Sequence, residues 1–493
     1  MAMTAPIIPL LFLTTSGTAE VADSANLRNP LDEVVVTATR TPKTLKDVPV
    51  ITRVIGSEEL AHGDPTDIQE LLTEELPGIE FGYAMSQETA LQMGGFGGNA
   101  VLFLVDGERL SGETMDNVDY SRLDLTNASR VEIVKGAASA LYGANAVGGV
   151  VNIISKHDSS PWSVDIDNRY RTLGDEYRTS GSVNFNAGKV YSSTGLQFVR
   201  SSRVQLTTPF DTKSVIHDIY GGNALNIKER LIYSPTDGLE LTLRGGYFDR
   251  KSERITYDDR FHDYNGGLKC DWNPNADSHA ELSYSYDQYD KKRYIGGQAT
   301  NLHDYSDRQH IVRGLYSHAF GVNTLTAGAD YMYDHLRSYQ FAESEGHLQH
   351  SADMFVQFDW SPISKLNIVG SLRDDWYSAS HHNAVTARLA VMTKLKPLTL
   401  RAGYSGGFRA PTLKEMFMEF DMAGIRMIYG NPDLKPERSH NLNLSLERNG
   451  LVTHGGWMAG SYSMTVSGQM NFYDSRITTE EIDSPEIGLP ALR

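Results

Sequence analysis

The sequence predicts a mixed α/β domain followed by, and associated with, an antiparallel β-barrel that spans a membrane. Two observations carry this prediction. Strand-length pieces in which apolar and polar residues alternate strictly run through residues 157–493, and this is the pattern of membrane-spanning strands. Residues 57–156 instead combine helix-spaced leucines with continuous apolar strands and Gly-rich turns. The 493 residues also exceed one ordinary domain.

Composition excludes several other classes. A net charge of −17 argues against a nucleic-acid partner. No window holds about 18 uncharged apolar residues, so we predict no transmembrane helix. The mean hydropathy of −0.36 is compatible with a barrel, because alternating strands keep the average low. Cys270 is the single cysteine; it excludes an intrachain disulfide, and we expect it to be inert.

The N-terminal 56 residues predict two segments. Residues 6–13 form an apolar run and Thr18-Ala19 a small-residue cleavage site, so residues 1–19 are predicted as a signal peptide. Residues 20–56 contain "DEVVVTATRTPKTLKDVPV", a short β-prone piece followed by a Thr- and Pro-rich run. We predict a flexible linker there.

Residues 57–156 predict a compact domain. Ser57 and Asp67 are helix N-cap candidates, and Ile68, Leu71 and Leu72 recur at helical spacing after the second. Apolar strands are predicted over residues 101–105, 131–134 and 150–154.

The remaining residues predict the barrel. Pieces such as "LELTLRGGY", "AELSYSYD" and "LTLRAGY" alternate with period two and carry aromatic residues near their ends. Short turns at 234–238 and 361–365 contrast with longer polar connections such as 335–350. A soluble β-sandwich is the alternative, but this asymmetry and the length of the pattern favour a barrel.

Several motifs resemble those of TonB-dependent outer-membrane receptors. "DEVVVTATR" resembles the TonB box, formed here by Asp32, Glu33, Val34, Val35 and Val36. "DIQELLTEELPGIE", "NAVLFLVDGERL" and "SRVEIVKGAASALYGANAVGGVVNIISK" resemble signatures of the plug domain of that family. Residues 407–420 and 429–437 resemble the FRAP and NPDL boxes of haem receptors and some relatives. Their residues are Phe408, Arg409, Ala410, Pro411, Asn431, Pro432, Asp433 and Leu434.

This resemblance implies a plug inside the barrel and a receptor in the outer membrane of a Gram-negative bacterium. The TonB box would add itself as a strand to periplasmic TonB, with backbone hydrogen bonds supplying affinity, and TonB would deliver energy from the inner membrane. Membrane lipid, a small-molecule ligand and a surface lipoprotein are the expected partners of a monomer. A surface protein that binds ligand without transport is the alternative; no G-x-S-x-G elbow supports an enzyme.

The FRAP and NPDL resemblance implies haem as the transported ligand, with cobalamin or a siderophore as alternatives. We expect axial His, Tyr or Met ligands for haem, yet residues 412–428 contain no histidine. Met or Tyr then replaces the histidine, or the ligand is held without axial coordination, or it is not haem. No firm metal-ligand set follows. The ligand-binding candidates are Tyr83, Met85, Met93, Met422, Met427, Tyr429, His335, His347 and His350.

The predicted strand number is smaller than the family pattern. Residues 157–493 hold about 14 to 16 strand-like pieces at about ten residues per span. Barrels of this family have about 22 strands. We therefore expect the barrel encoded by this sequence to be incomplete.

Overall fold

A computed structural model describes residues 34–83, 87–113, 116–207, 215–342, 345–422, 425–454, 458–482 and 491–492. Asp32, Glu33 and Met85, like the predicted signal peptide, lie outside the described residues. Among the helices of the described ranges, none has the length and hydropathy needed to cross a bilayer.

The plug is built on a five-stranded sheet. Its elements and those around it are β1 (Val34–Val35), β2 (Lys43–Thr44), β3 (Thr52–Gly56), α1 (Ser57–Gly63), α2 (Ile68–Glu75), β4 (Ile79–Tyr83), β5 (Thr89–Met93), β6 (Phe96–Gly97), β7 (Val101–Val105), β8 (Glu108–Arg109), β9 (Ala128–Lys135), α3 (Ser139–Tyr142) and β10 (Gly149–Ser155). The strands of this sheet follow the order β3-β9-β10-β7-β8.

Local chemistry explains these elements, with two corrections. Asp67 caps α2 as predicted, because its side chain accepts hydrogen bonds from the backbone N–H groups of Gln69 and Glu70. The cap of α1 is Gly56 rather than Ser57, and the Glu59 carboxylate accepts from the Gly56 N–H at 3.2 Å. The predicted linker of residues 20–56 also includes β3, which pairs with β9 in the plug sheet.

The second part is a 15-stranded sheet in which every neighbouring pair of strands is antiparallel, within the predicted range of strand number. The elements in chain order are β11 (Trp162–Arg171), β12 (Glu176–Asn186), β13 (Val190–Ser201), β14 (Val204–Thr207), β15 (Val215–Ile219), β16 (Gly222–Thr236), β17 (Leu239–Glu253), β18 (Asp258–Asn275), β19 (Ser278–Ile295), β20 (Gln298–Phe320), β21 (Asn323–Ser338), β22 (His347–Ile363), β23 (Leu366–Tyr377), β24 (His382–Leu395), β25 (Leu398–Arg409), α4 (Leu413–Phe417), β26 (Glu419–Met422), β27 (Arg426–Tyr429), β28 (Glu437–His454), β29 (Met458–Ser475), β30 (Glu481–Ile482) and β31 (Ala491–Leu492).

The large sheet runs from β11 to β29, and among the described residues no ladder joins these two edge strands. Among the described residues, six strands of this part of the chain lie outside it on the side of the long connections; β31 pairs with both β30 and β27. β14 pairs with β15, and β26 pairs with β27.

Side chains alternate between the two faces of this sheet. On β23, Leu372 and Trp376 are 51% and 42% exposed, whereas Arg373 and Asp375 between them are 3% and 2% exposed. The apolar face is outward and suits lipid, while the polar face turns inward to the plug. Hydrogen bonds join the plug to the wall from β13 to β25: the Asn127 amide donates to the Ser193 hydroxyl, and the Phe408 N–H donates to the Ser139 hydroxyl of the plug.

The two ends of the sheet differ, as the sequence predicts. Tight turns join β16 to β17 and β22 to β23 at one end, which we call the short-turn end. The connection between β25 and β28, which contains α4, β26 and β27, lies at the opposite end, which we call the mouth. The predicted connection 335–350 is shorter than expected, because β21 continues to Ser338 and β22 begins at His347.

Candidate functional site

The N-terminal segment is packed between the plug and the barrel wall. Val34 and Val35 pair with Thr44 and Lys43 in a minimal antiparallel ladder, and Val35 is fully buried. The Glu132 carboxylate on β9 accepts three hydrogen bonds from this segment through one oxygen, Oε2. The donors are Val36 N at 3.0 Å, Thr37 N at 2.8 Å and Thr37 Oγ1 at 2.7 Å.

Neutral groups complete this attachment. The Tyr142 hydroxyl donates to the Thr37 carbonyl at 2.9 Å, and the Asn152 amide donates to Thr37 Oγ1 at 2.9 Å. Burial raises the pKa of Tyr142 to about 12, so its hydroxyl stays a donor at neutral pH. From the barrel, Gln357 donates to the Thr39 carbonyl at 2.8 Å. The predicted flexible strand is therefore held by both domains, because its backbone groups find partners there.

A buried ion cluster anchors the plug to the barrel. Arg122 approaches Asp263 at 2.5 Å and Asp287 at 2.9 Å, and all three side chains are at least nine-tenths buried. Burial lowers the pKa of Arg122, but the charges of the two carboxylates raise it by more than burial lowers it. The pKa of Arg122 therefore lies above its ordinary value. The Ser111 hydroxyl also donates to Asp287. A buried pair of carboxylates depends on this guanidinium for compensation.

At the mouth, the plug and a barrel connection meet through Lys414 of α4. Its Nζ lies 2.9 Å from Glu113 Oε1 and 2.9 Å from Asp116 Oδ1. Both carboxylates belong to the end of the plug that faces the mouth, around Gly112, Glu113 and Asp116, which we call the plug apex. Burial raises the pKa of Glu113 to about 7, while Lys414 opposes this shift and Asp116 adds to it. Thr412 caps α4 through the Glu415 N–H at 3.1 Å, which sets the position of Lys414.

Four cations with aromatic neighbours line the inner wall near the mouth; we call Arg250, Arg254, Lys291 and Arg293 the mouth cluster. The Arg250 guanidinium lies 3.9 Å from the Phe261 ring centroid and that of Arg293 lies 3.7 Å from the Tyr257 centroid. Arg254 lies 4.6 Å from the Tyr220 ring and Lys291 lies 5.2 Å from the Phe261 ring. These contacts hold the charges over flat apolar faces.

Three carboxylates face the mouth cluster. Arg250 contacts two plug acids, Glu88 at 3.1 Å and Asp119 at 3.0 Å, and Arg254 approaches Glu88 at 3.7 Å. Arg293 and Lys291 contact Asp259 at 2.8 Å and 3.7 Å. Four cations thus meet three anions, which leaves one formal positive charge on this surface.

Comparison with known proteins decides the family. Residues 217–486 match the family described as "TonB dependent receptor-like, beta-barrel", and residues 44–150 match "TonB-dependent Receptor Plug Domain". The chain belongs to the TonB-dependent receptor family. Its location is the outer membrane of a Gram-negative bacterium.

Two curated relatives are similar over most of this chain. The "Iron-regulated outer membrane virulence protein" of Vibrio cholerae serotype O1 is 27% identical over 445 residues, covering 84% of this chain and 66% of the relative. The "Vitamin B12 transporter BtuB" of Vibrio vulnificus is 25% identical over 433 residues, covering 83% of this chain and 66% of the relative. The chain therefore spans just under two thirds of the length of these relatives.

A solved structure supports the fold. The siderophore receptor PirA from Pseudomonas aeruginosa superposes with a TM-score of 0.71 at 18% identity, covering 90% of this chain and 78% of that one. At this identity the likeness concerns the fold alone.

The FRAP and NPDL boxes of this receptor form one connected structure. Phe408 is 1% exposed and packs with Tyr377, their ring centroids 6.0 Å apart. Arg409 joins Glu415 at 2.8 Å and Glu437 at 3.0 Å, so it ties α4 to β28.

The second box continues this connection. The Asn431 N–H donates to the Glu415 carbonyl at 3.0 Å, and Asn431 Oδ1 accepts from the Asp433 N–H at 3.1 Å. Pro432 lies inside this turn, and the Leu434 N–H donates to the Asn431 carbonyl. Ala410 and Pro411 line a cavity beside the plug apex. These contacts shape the mouth.

The predicted ligand-binding residues divide between surfaces. Tyr83 is 74% exposed on β4 and Met422 is 44% exposed on β26. Met427 and Tyr429 are half-buried on β27, paired with Asp421 and Glu419.

Three predictions need correction. Met93 is 6% exposed within the plug core, so it packs rather than faces the mouth. His350 lies 2.7 Å from the outward-facing Tyr331 hydroxyl, and His335 shares the strand face of Tyr331. His335 and His350 therefore face outward. His347 is three residues from His350 on β22, so its side chain lies on the opposite, inner face of the sheet. It stacks on Phe417 with ring centroids 4.0 Å apart.

The mouth cluster was missed by sequence reasoning, although a signal exists. "DRKSER" at 249–254 and "DKKR" at 290–293 are basic runs at strand ends, and period two places alternate members on the inner face. The sequence does not indicate which carboxylates pair with these cations, because the partners belong to the plug. Arg250 and Glu88, for example, are 162 residues apart in the chain.

Proposed function

We propose that this receptor binds an anionic iron chelate at the mouth and imports it into the periplasm with energy delivered through TonB. The observation that carries this proposal is the mouth cluster, in which Arg250, Arg254, Lys291 and Arg293 surround aromatic rings on the inner wall. A chelate with negative charge and flat aromatic groups suits such a surface, since it can both pair with guanidinium groups and stack.

Binding there would act on the plug. Arg250 contacts Glu88 and Asp119 of the plug, so an incoming anion competes with these carboxylates for the same guanidinium. A ligand that draws Arg250 towards itself weakens the attachment of the plug to the wall. The differential affinity of the ligand for the loosened state sets the size of the effect.

The ligand class follows from charge and coordination. A ferric siderophore of the catecholate type is anionic and aromatic and brings its own iron ligands, so it needs no axial residue from the protein. Cobalamin carries little net charge and gains less from four cations. We therefore favour a ferric siderophore over haem, which the FRAP and NPDL resemblance implies; the relative from Vibrio cholerae is named for iron regulation.

A titration tests the proposal. The full chain in outer-membrane detergent is titrated with a ferric tris-catecholate while intrinsic fluorescence is recorded, with cyanocobalamin as a neutral comparison. Removing one charge-assisted contact costs about 1.5 to 3 kcal/mol, so Arg254→Gln and Lys291→Gln each weaken binding about tenfold or more. Lys365→Gln, exposed at the short-turn end, leaves it unchanged. Equal affinity of the folded parent and both mouth variants would contradict the assignment.

A second experiment separates import from capture. Deleting residues 32–36 removes the strand that would add to TonB, so uptake of labelled chelate by cells stops while binding remains. If uptake continues, TonB docking at this segment is not required. If binding is also lost, the segment supports the fold of the binding surface instead.

Haem is the second candidate, and His347 favours it. This imidazole faces the interior at the mouth and stacks on Phe417, an arrangement that could supply one axial nitrogen. A haemin titration followed at the Soret band tests this candidate. A shift that His347→Ala abolishes, together with no response to ferric catecholate, would replace the siderophore with haem.

A further inference from the structure

A cavity of about 180 Å³ lies between the plug apex and the barrel wall, next to the start of α4. Its lining carries four carboxylates and two cations, which gives a formal charge of −2 when all are ionised. The charged residues are Arg109, Glu113, Asp116, Asp307, Asp334 and Lys414. This balance favours a cation.

Strand register brings four oxygen-bearing side chains together on one wall. Asp334 on β21 is the direct cross-strand partner of both Gln309 on β20 and Gln349 on β22, so the Cβ atoms in each of these two pairs are about 4.5 to 5.5 Å apart. Asp307 precedes Gln309 by two residues and shares its face. The Asp334 carboxyl lies within hydrogen-bonding reach of both Asp307 and Gln309.

One oxygen of each side chain is buried without a hydrogen-bond donor among the described residues: Asp307 Oδ1, Gln309 Oε1, Asp334 Oδ1 and Gln349 Oε1. Asp307 is 7% and Gln349 is 6% exposed. A buried acceptor left unsatisfied costs about 1 to 3 kcal/mol, so four in one cavity call for a common partner.

The cations of the cavity make their hydrogen bonds to other groups, and Arg109 acts on Asp334 only through its charge. Arg109 Nη2 donates to the carbonyls of Tyr142 at 3.4 Å and Ala144 at 3.2 Å. Lys414 contacts Glu113 and Asp116. The contacts of the described residues thus leave the Asp307–Asp334 pair without a guanidinium or ammonium donor.

We propose that Asp307, Gln309, Asp334 and Gln349 bind one divalent cation of the calcium type. Calcium takes about six to eight oxygen ligands, accepts carboxylates and amide carbonyls together, and tolerates irregular geometry; water completes the shell. Among the described residues no cluster of three or more His, Cys, Asp or Glu is arranged to hold a metal, so the amide oxygens are essential to this donor set. Zinc, which prefers nitrogen and sulfur, does not fit.

The position of the site gives the cation a mechanical role. Asp307 Oδ2 accepts from the Gly112 N–H of the plug apex at 2.7 Å, while its other oxygen faces the cation. A bound cation therefore joins three barrel strands and the plug at one point. It holds the plug apex against the wall through the carboxylate of Asp307.

Calorimetry tests the site on the full chain in detergent after treatment with a chelator. Calcium chloride is the titrant, and terbium luminescence sensitised by Tyr305, which lines the cavity, is the second readout. We expect one saturable equivalent in the parent, at least tenfold weaker binding in Asp334→Asn and severalfold weaker binding in Gln349→Met. Asp237→Asn, exposed in a short turn, is the matched control and keeps parent affinity.

Near-UV circular dichroism establishes folding of each protein. If Asp334→Asn does not fold, Gln349→Met decides, because it removes only one neutral oxygen. Absence of calcium binding by the folded parent would overturn the proposal and leave a proton shared by Asp307 and Asp334 as the explanation. Binding that is equally strong in both folded variants would also overturn it.

Discussion

Replacing Glu132 with glutamine keeps the shape of the side chain and removes the charge that holds the N-terminal segment. In the parent, one carboxylate oxygen accepts hydrogen bonds from Val36 N, Thr37 N and Thr37 Oγ1, and the side chain is fully buried. A hydrogen bond to a charged acceptor contributes about 1.5 to 3 kcal/mol and one to a neutral acceptor about 0.5 to 1.5 kcal/mol.

The expected loss is therefore about 1 kcal/mol for each bond, and about 3 kcal/mol for the three. Because about 1.4 kcal/mol corresponds to a factor of ten, the ratio of released to docked segment rises about one hundredfold. Tyr142→Phe removes one neutral bond and gives a smaller increase, about fivefold. The graded response distinguishes loss of charge from loss of packing.

The assay is the electron paramagnetic resonance spectrum of a nitroxide attached at Val34→Cys, in a chain that carries Cys270→Ser. Val34 is 50% exposed and accepts a label without entering the core. We expect a mobile component to appear in Glu132→Gln and to stay absent in Glu58→Gln, a change at an exposed position of α1. If Glu132→Gln and the parent give the same spectrum, the carboxylate does not hold this segment.

Three further predictions concern the plug and the mouth. Arg122→Met leaves the carboxylates of Asp263 and Asp287 buried without a positive charge beside them. We expect the free energy of unfolding to fall by about 3 to 5 kcal/mol, seen as a lower urea midpoint. Phe408→Ala removes a 1% exposed ring and lowers the free energy of unfolding by about 3 to 5 kcal/mol, measured by chemical denaturation. The pKa of Glu113 is raised to about 7 by burial, so the folded state holds this proton more tightly than the unfolded state, and calorimetric stability falls as pH rises from about 5 to above 7.

Each of these predictions has its own control. Arg200→Met, at an exposed position of β13, should leave the urea midpoint unchanged. Phe408→Leu should recover most of the stability lost in the alanine variant, since it restores apolar volume. Glu113→Gln should flatten the pH profile; an unchanged profile would mean that another group carries the titration.

Period two predicted a sheet with one apolar and one polar face, and the length of the pattern together with the short and long connections favoured a barrel over a sandwich. Leu241 and Leu243 are 39% and 50% exposed on the outer face, where lipid accepts them, and polar residues between them turn inward. The same rule could have separated the histidines. On β22, Met354 and Val356 are exposed, so His350 shares their outer face and His347 does not. Treating residues 335–350 as one connection concealed this parity.

Other features depend on contacts that no local pattern encodes. The attachment of the N-terminal segment joins Thr37 to Glu132, 95 residues apart, and no property of "VVVTATR" indicates that a buried carboxylate awaits it. The predicted flexibility of that stretch rested on its composition, and its predicted role as a strand for TonB rested on the family resemblance. Its backbone donors nevertheless require partners whenever it is not paired with another protein, and the plug supplies them.

Ion pairs hold the plug to the barrel wall at both of its ends. At the mouth, Arg250 pairs with Glu88 and Asp119, and a ligand anion would compete for that guanidinium. At the short-turn end, Lys43 pairs with Asp359 of the barrel at 2.5 Å, next to the attached N-terminal segment. Both contacts join the same plug to the same wall, so any state in which the plug shifts weakens both. Linkage then requires that a ligand which favours the shifted state also favours release of the segment, and that a protein which binds the released segment raises the affinity of the mouth for its ligand by the same factor.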